Sequence, residues 1–590
     1  MSVPIEDYAL IGDRRTAALV GRNGSIDWLC LPDFGSDACF AALLGSVEHG
    51  HWQISPTDHY QVSRRYQADT LVLETDFETS AGSVRLIDFM PVNSRVPAVI
   101  RTVVGLRGDV SMALEALFRF EYGHIRPLVS SGAGGLQFVC GARRIGLRSP
   151  FVLAPSADRI DARFPVRAGD RLDFVMVCSV SDEGAPGFPD PGSSLEETVL
   201  FWRSWVGTYH CRTPWDDAVK RSLITIKALI QRSSGGMIAA PTMGLPERLG
   251  GSLNWDYRYC WLRDATFMLT ALLNAGYHGE AKSWRDWILR VAAGSPEKLQ
   301  ILYQVDGSRS PNEETLPWLP GYAGSIPVRR GNAASNQRQL DVFGEVIDAF
   351  CLARRAGIPA IDGEFELQSN LAGVIERIWQ QPDKGLWEAR GQARNFTYSR
   401  VMAWVGLTRF INDASKQPGT DRVRLDRLTA LAKRIHAQVC REAYDAERGH
   451  FVEYYGSPDV DGSLLLLPLV GFLPANDPRI QQTIAAVRRD LMDDGLVLRR
   501  RVASTGETEG AFIACTCWLA DCLAMQGELQ QAREVFERVL EVRNDVGLLA
   551  EEYDTGNKRQ AGNFPQALSH LALINTALQL SGPVLQRAGG

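Results

Sequence analysis

The sequence predicts an N-terminal antiparallel β-sandwich followed by an all-α domain of paired helices. Three observations carry this. Short β-rich runs alternate with turn signals up to about residue 205, and apolar residues recur at helical spacing from about residue 213. No fixed-period repeat appears, which argues against a solenoid and for a closed toroid of helical hairpins. At 590 residues the chain exceeds one ordinary hydrophobic core. The expected division is a β domain over 1–205, a linker over 206–214 and a helical domain over 215–590.

In the first region, Ala18-Leu19-Val20 and Ile26-Asp27-Trp28-Leu29 flank Arg22-Asn23-Gly24, where Asn-Gly supplies the positive φ of a tight hairpin turn. Thr70 to Phe77 and Val84 to Phe89 flank Ser80-Ala81-Gly82 in the same way. One helix is expected here, around Ser194 to Val206. The Gly132-Ala133-Gly134-Gly135 run has neither a following Lys-Ser nor a strand-to-helix context, so it reads as a turn and not a phosphate loop.

The second region holds roughly twelve helical runs, near 215–231, 262–275, 279–292, 338–355, 363–379, 397–411, 421–440, 461–472, 478–492, 510–526, 529–542 and 564–580. Between them, residues 293–337 form a long Gly-, Pro-, Asn-, Ser- and Arg-rich stretch that contains Tyr303, Trp318 and Tyr322. Loops of that length inside a domain are usually functional. Aromatic rings on a polar loop suit a pyranose, whose C–H face packs on a ring while its hydroxyls need polar partners.

Composition narrows the function. The formal charge of -6 is spread without a basic cluster, which gives no footprint for nucleic acid or an anionic membrane and fits a neutral substrate. Eleven cysteines, an odd count, sit singly in apolar runs such as those of Cys260, Cys351, Cys515 and Cys517, and read as reduced thiols of a cytoplasmic protein. The Met1 end shows no signal-peptide pattern, and no apolar run approaches the roughly 20 residues that span a bilayer. The nine histidines lack ligand spacing and Cys515-Thr516-Cys517 reads as helix core, so no metal is expected.

Candidate chemistry lies in the loops. Arg263-Asp264 opens a helix and offers a donor fork beside an acceptor, which is what a vicinal diol requires. Glu388 follows Trp387, and a carboxyl desolvated by that ring would keep a proton near neutral pH, as a general acid must. Glu551-Glu552 is an acidic pair before the last helix, and Glu507 and Glu509 are further acids that could cap a helix or act as a rival base. Glycoside hydrolysis needs two separated carboxyls, one to protonate the leaving oxygen and one to activate water or attack the sugar.

Together, Asn254 to Asp264, Gly331-Asn332-Ala333 to Asp341, Gly385 to Arg390, Glu551 to Asp554 and Gly562 to His570, with the opening Asp7 to Pro32, resemble glycoside hydrolase family 15 over nearly the whole chain. That family comprises the glucoamylases, glucodextranases and bacterial trehalases. The resemblance implies an (α/α)6 barrel and an inverting, cofactor-free mechanism. By motif, Glu388 is the general acid and Glu551, the first of the paired acids, the general base. Arg263 and Asp264 would hold the hydroxyls of the non-reducing glucose, with Tyr257, Trp261, Trp387, Trp318 and Glu552 completing the sugar site. It implies exo-acting release of glucose from an α-glucoside, with trehalose the leading substrate and α-1,4- or α-1,6-gluco-oligosaccharides the alternative. An inverting phosphorylase on the same barrel and a non-catalytic sugar-binding protein are the rival classes; oligomeric state is left open, a homo-oligomer included.

Overall fold

The computed structural model describes residues 2–132, 134–180, 187–293, 296–501 and 509–582. In its first part the strands pair antiparallel in two layers that share one long strand, Ala98–Leu117. The first half of that strand pairs with Gly82–Phe89 and Arg171–Ser179, and its second half with His51–Pro56 and Arg159–Arg167. Strands alternate buried and less buried residues, as in Leu73–Thr79, because successive side chains point to opposite faces. This is the expected sandwich. A buried ion pair ties its parts together: Arg101 Nε lies 2.7 Å from Asp88 Oδ1, while its other nitrogens donate to the carbonyls of Trp52 and Gly24.

Both expected hairpins form. Gly24 takes φ +74°, and Gly82 opens the strand that pairs back on Leu73–Thr79. Strands Leu128–Gly132 and Gly135–Cys140 pair across the glycine-rich run, whose Ala133 lies outside the described residues. Helix α1, Pro191–Val206, begins three residues earlier than periodicity suggests. Asp190 accepts from the Ser193 N–H and Pro191 occupies the first turn, which together make a strong start signal.

Twelve further helices follow among the described residues: α2 Asp216–Leu229, α3 Ala265–Asn274, α4 His278–Ala292, α5 Asp341–Arg355, α6 Glu364–Ile378, α7 Thr397–Ala414, α8 Arg422–Glu442, α9 Leu466–Leu469, α10 Pro478–Leu491, α11 Ile513–Met525, α12 Leu529–Glu541 and α13 Ala567–Ser581. Helices α3, α5, α7, α9, α11 and α13 touch in sequence, and α13 closes on α3. Helices α2, α4, α6, α8, α10 and α12 pack outside them, α10 through the 3-10 turn Gly462–Leu465 that precedes α9. The result is an (α/α)6 barrel. Sequence encodes the layering: α11 is buried from Ile513 to Leu523, whereas α12 buries only Ala532, Phe536 and Val539, a single stripe.

One expected helix is corrected. Residues 461–472 form a 3-10 turn and one α turn, not a full helix, because the chain reverses at Gly471, which takes φ +80°.

The two parts meet along a polar seam. Trp28 donates to the Pro241 carbonyl at 2.7 Å, and Arg258 donates to the Tyr122 hydroxyl at 2.9 Å. No described helix is long and apolar enough to cross a membrane. The cysteines are free thiols, most of them buried.

Candidate active site

The candidate residues lie in the segments that lead into the inner helices, so they converge at one mouth of the barrel. Tyr257, Trp261 and Arg263 precede α3, Glu388 precedes α7 and Glu551 precedes α13. There they line one cavity of about 160 Å³, together with Trp387. The positive ends of the inner helices face the same mouth and favour acids there.

One short segment holds both acids. The Tyr257 hydroxyl donates to Glu551 Oε1 at 2.7 Å, and Trp261 Nε1 donates to Glu388 Oε1 at 2.6 Å. The two rings meet edge to face with centroids 5.3 Å apart, so their positions are coupled. Arg263 Nη1 donates to the Leu386 carbonyl at 2.9 Å and lies 3.3 Å from Glu388 Oε1. Glu388 itself has φ +57°, a left-handed conformation that a non-glycine residue keeps only where its surroundings enforce it. Gln337 donates to its carbonyl at 3.1 Å and helps fix that turn. Gly562 is needed beside Glu551: a Cβ there would meet the Glu551 Cβ at 2.8 Å, and its φ is +77°.

Several expected positions are corrected. Trp387 does not shield Glu388; its indole donates to Asp461 Oδ2 at 2.6 Å and its ring packs edge-on to Phe512. Asp264 is absent from the cavity wall and spends its carboxylate on Arg263 Nε at 3.0 Å, so it orients that arginine. Glu552 turns away from the cavity, accepting the Gly510 N–H at 2.9 Å. Trp318 lies at the domain seam, its ring 4.4 Å from that of His124 and its indole donating to the Tyr122 carbonyl. Glu509 is engaged by Arg499 at 2.8 Å, which makes it a poor rival base, and Glu507 lies outside the described residues.

Other wall residues carried no sequence signal for the site. Arg499 lies 2.8 Å from both Glu247 and Glu509 and 3.9 Å from Glu552. Those three acids bring oxygens within 4.8 Å of one another, a spacing that would suit a cation. The guanidinium supplies that charge. Trp255 donates to Glu247 at 3.1 Å and carries the guanidinium groups of Arg390 and Arg329 over its ring, at 4.3 and 4.7 Å. Trp255 and Arg390 fall inside the segments that resemble the family, whereas Arg499 in a run of three arginines looks like any solvated charge patch.

The electrostatics follow from this crowding. Burial and then the neighbouring Glu247 push the Glu551 carboxyl up to about 8. Burial and Glu247 also raise Glu552 well above the usual carboxylate range. Burial works against the charge of Arg499, but Glu247 and Glu509 outweigh it and hold its proton on. Glu388 sits differently, with its side chain 18% exposed and two donors on one oxygen.

The chain was compared with known proteins. Residues 214–578 match the model of Glycosyl hydrolases family 15, and residues 1–159 that of the trehalase-like N-terminal domain. A trehalase of Thermoplasma volcanium is 33% identical, covering 99% of this chain and 94% of its own length. A trehalase of Mycolicibacterium smegmatis is 34% identical, covering 98% of this chain and 91% of its own. Among solved structures, a bacterial glucoamylase complexed with acarbose superposes with a TM-score of 0.75 at 14% identity, covering 99% of this chain and 95% of that one, a likeness of fold. With barrel, sandwich and acid-lined mouth in place, the chain is a glycoside hydrolase and belongs to glycosyl hydrolases family 15.

Proposed function

We propose that the enzyme hydrolyses trehalose with inversion, releasing glucose from the non-reducing end of an α-glucoside. The observation that carries the mechanism is that Glu388 and Glu551 line one cavity, each held by a donor from the Tyr257 to Trp261 segment. Trehalose is favoured over longer glucosides by near-full-length similarity to proteins named as trehalases. The walls suit a sugar: Trp261, Trp387 and Phe512 offer rings, while Arg263, Arg390 and Arg499 offer hydrogen-bond donors.

In this reading Glu388 gives its proton to the glycosidic oxygen as the bond from that oxygen to the anomeric carbon breaks. Glu551 takes a proton from water as the water oxygen bonds to the same carbon from the opposite face. Trehalose then yields one β-glucose and one α-glucose in equal amounts, read by proton NMR before mutarotation. Initial formation of α-glucose alone would overturn inversion, and formation of glucose 1-phosphate only when phosphate is present would favour a phosphorylase.

A second reading exchanges the two acids. It is favoured by the Glu551 carboxyl, which is pushed up to about 8 and so keeps a proton near neutral pH. α-Glucosyl fluoride separates the two, because fluoride departs without strong protonation. Under the first assignment Glu388→Gln retains much of its activity on the fluoride and loses it on trehalose, while Glu551→Gln loses both. The opposite pattern establishes the exchange.

A further inference from the structure

A second cleft of about 490 Å³ opens where the N-terminal domain meets the barrel, walled by Arg14, the residues after α2 and the first turn of α4. It shares no wall residue with the catalytic cavity and has roughly three times its volume. The charges around it are unevenly committed. Glu280 already accepts from Lys227 Nζ at 2.5 Å and Trp205 Nε1 at 2.7 Å. Asp286 is paired with Lys282 and Arg285, each at 2.8 Å, and Asp306 caps the Ser308 N–H at 2.8 Å.

The arginines are not so engaged. Among the described residues none of Arg14, Arg232 and Arg290 has a carboxylate partner: Arg232 donates to the Val92 carbonyl at 3.0 Å and Arg290 to the Ser234 carbonyl at 2.5 Å. The Arg14 guanidinium has no hydrogen-bond partner there at all; its Nε is buried and unsatisfied, and its planar group lies 5.6 Å from the Phe201 ring. A buried cationic donor left without an acceptor is costly unless a ligand supplies one. Arg14 also has φ +69°, a backbone conformation L residues avoid, imposed by the turn in which Asp13 accepts from the Arg15 and Thr16 N–H groups. The turn aims an unpaired guanidinium into the cleft.

Opposite, α4 presents its N-terminus without a side-chain cap. Gly279 stands in that first turn, and a Cβ there would meet nothing within 4 Å, so the backbone donors are open to a ligand. Three separate features therefore offer positive charge and free donors to one space: Arg14, the pair Arg232 and Arg290, and the start of α4. We propose that this cleft binds a phosphate-type oxyanion, either free or as the monoester of a small sugar, which the remaining volume accommodates. Bidentate pairing with a guanidinium is the geometry such an anion takes. Because its walls come from both domains, the bound anion clamps the seam between them and raises the melting temperature.

The test is thermal melting and titration calorimetry of the full chain with inorganic phosphate, with glucose 6-phosphate, and with chloride at matched ionic strength. Phosphate is expected to raise the melting temperature beyond chloride. Arg14→Gln, Arg232→Gln and Gly279→Asp are each expected to weaken binding at least tenfold while trehalose hydrolysis without added anion stays unchanged. Gly279→Asp guards against a folding artefact, since an acid in the first helical turn is favourable to the helix yet repels the anion. Tighter binding of the sugar phosphate identifies a monoester as the occupant, and equal binding identifies the free anion; both uphold the site. No effect of phosphate beyond chloride, or variants that bind as wild type, would overturn it.

Discussion

The Tyr257 hydroxyl donates to Glu551 at 2.7 Å, and both groups are buried in the cavity wall. That bond favours the charged carboxylate, since it partly offsets the burial and the repulsion from Glu247 that push the proton on. Removing it with Tyr257→Phe takes away a hydrogen bond to a charged group, worth about 1.5–3 kcal/mol. We predict a fall in kcat of roughly 10- to 100-fold with an intact fold, and an upward shift of the acidic limb of the pH profile. An unchanged acidic limb would mean that Glu551 does not set it.

The raised Glu551 carboxyl also makes activity and stability respond oppositely to pH. If Glu551 is the base, it must be ionised, so kcat/KM of the free enzyme falls as pH drops below about 8. For folding the sign is reversed. A carboxyl raised from 4.5 to about 8 in the native state binds its proton more tightly than in the unfolded chain, so its contribution is fullest below 4.5 and is lost as pH rises through 8. Glu551→Gln mimics the protonated form. Its stability relative to wild type, measured by guanidinium unfolding, is expected to be constant below about 4.5 and to increase from there to about 8. A gap independent of pH would contradict the shift.

Arg499 is the counter-charge for a buried acidic wall, at 2.8 Å from Glu247 and Glu509. Arg499→Met leaves those carboxylates without a partner, and breaking a buried pair this way costs about 3–5 kcal/mol. The loss is expected at neutral pH and to shrink on acidification as the acids take up protons. Adding Glu247→Gln to Arg499→Met should restore part of it. Equal stability of Arg499→Met and wild type at neutral pH would show that the cluster is already proton-neutralised.

How much of this was legible in the sequence follows from the range of each interaction. The Asn23-Gly24 hairpin is written in local turn chemistry, and the helices in their apolar period. That α13 closes on α3 is not, because ring closure is a contact between residues some 300 positions apart. The choice between Glu551 and Glu552 is instructive. Neighbours in an extended segment point to opposite faces, so only one of the pair reaches the cavity. Which one depends on pairing of Glu552–Asp554 with Ala511–Phe512, a register no local pattern specifies. Arg499 was hidden for the same reason: a run of arginines carries no mark of the acids that will surround it.

Trp318 gives the sharpest contrast between residue type and position. An aromatic on a long polar loop has the composition of a sugar platform, yet its partners are His124 and the Tyr122 carbonyl, nearly two hundred residues earlier in the chain. Its work is to fasten the loop to the N-terminal domain. Trp318→Ala removes a ring contact and an indole hydrogen bond at a half-buried position, so a loss of about 1–3 kcal/mol in stability is expected. KM and kcat for trehalose should remain within about twofold of wild type, because the ring lines no part of the catalytic cavity. Trp261→Ala makes the control: it withdraws the 2.6 Å donor from Glu388 and should lower kcat by at least about tenfold. A rise in KM for Trp318→Ala without a change in melting temperature would return that residue to the sugar site.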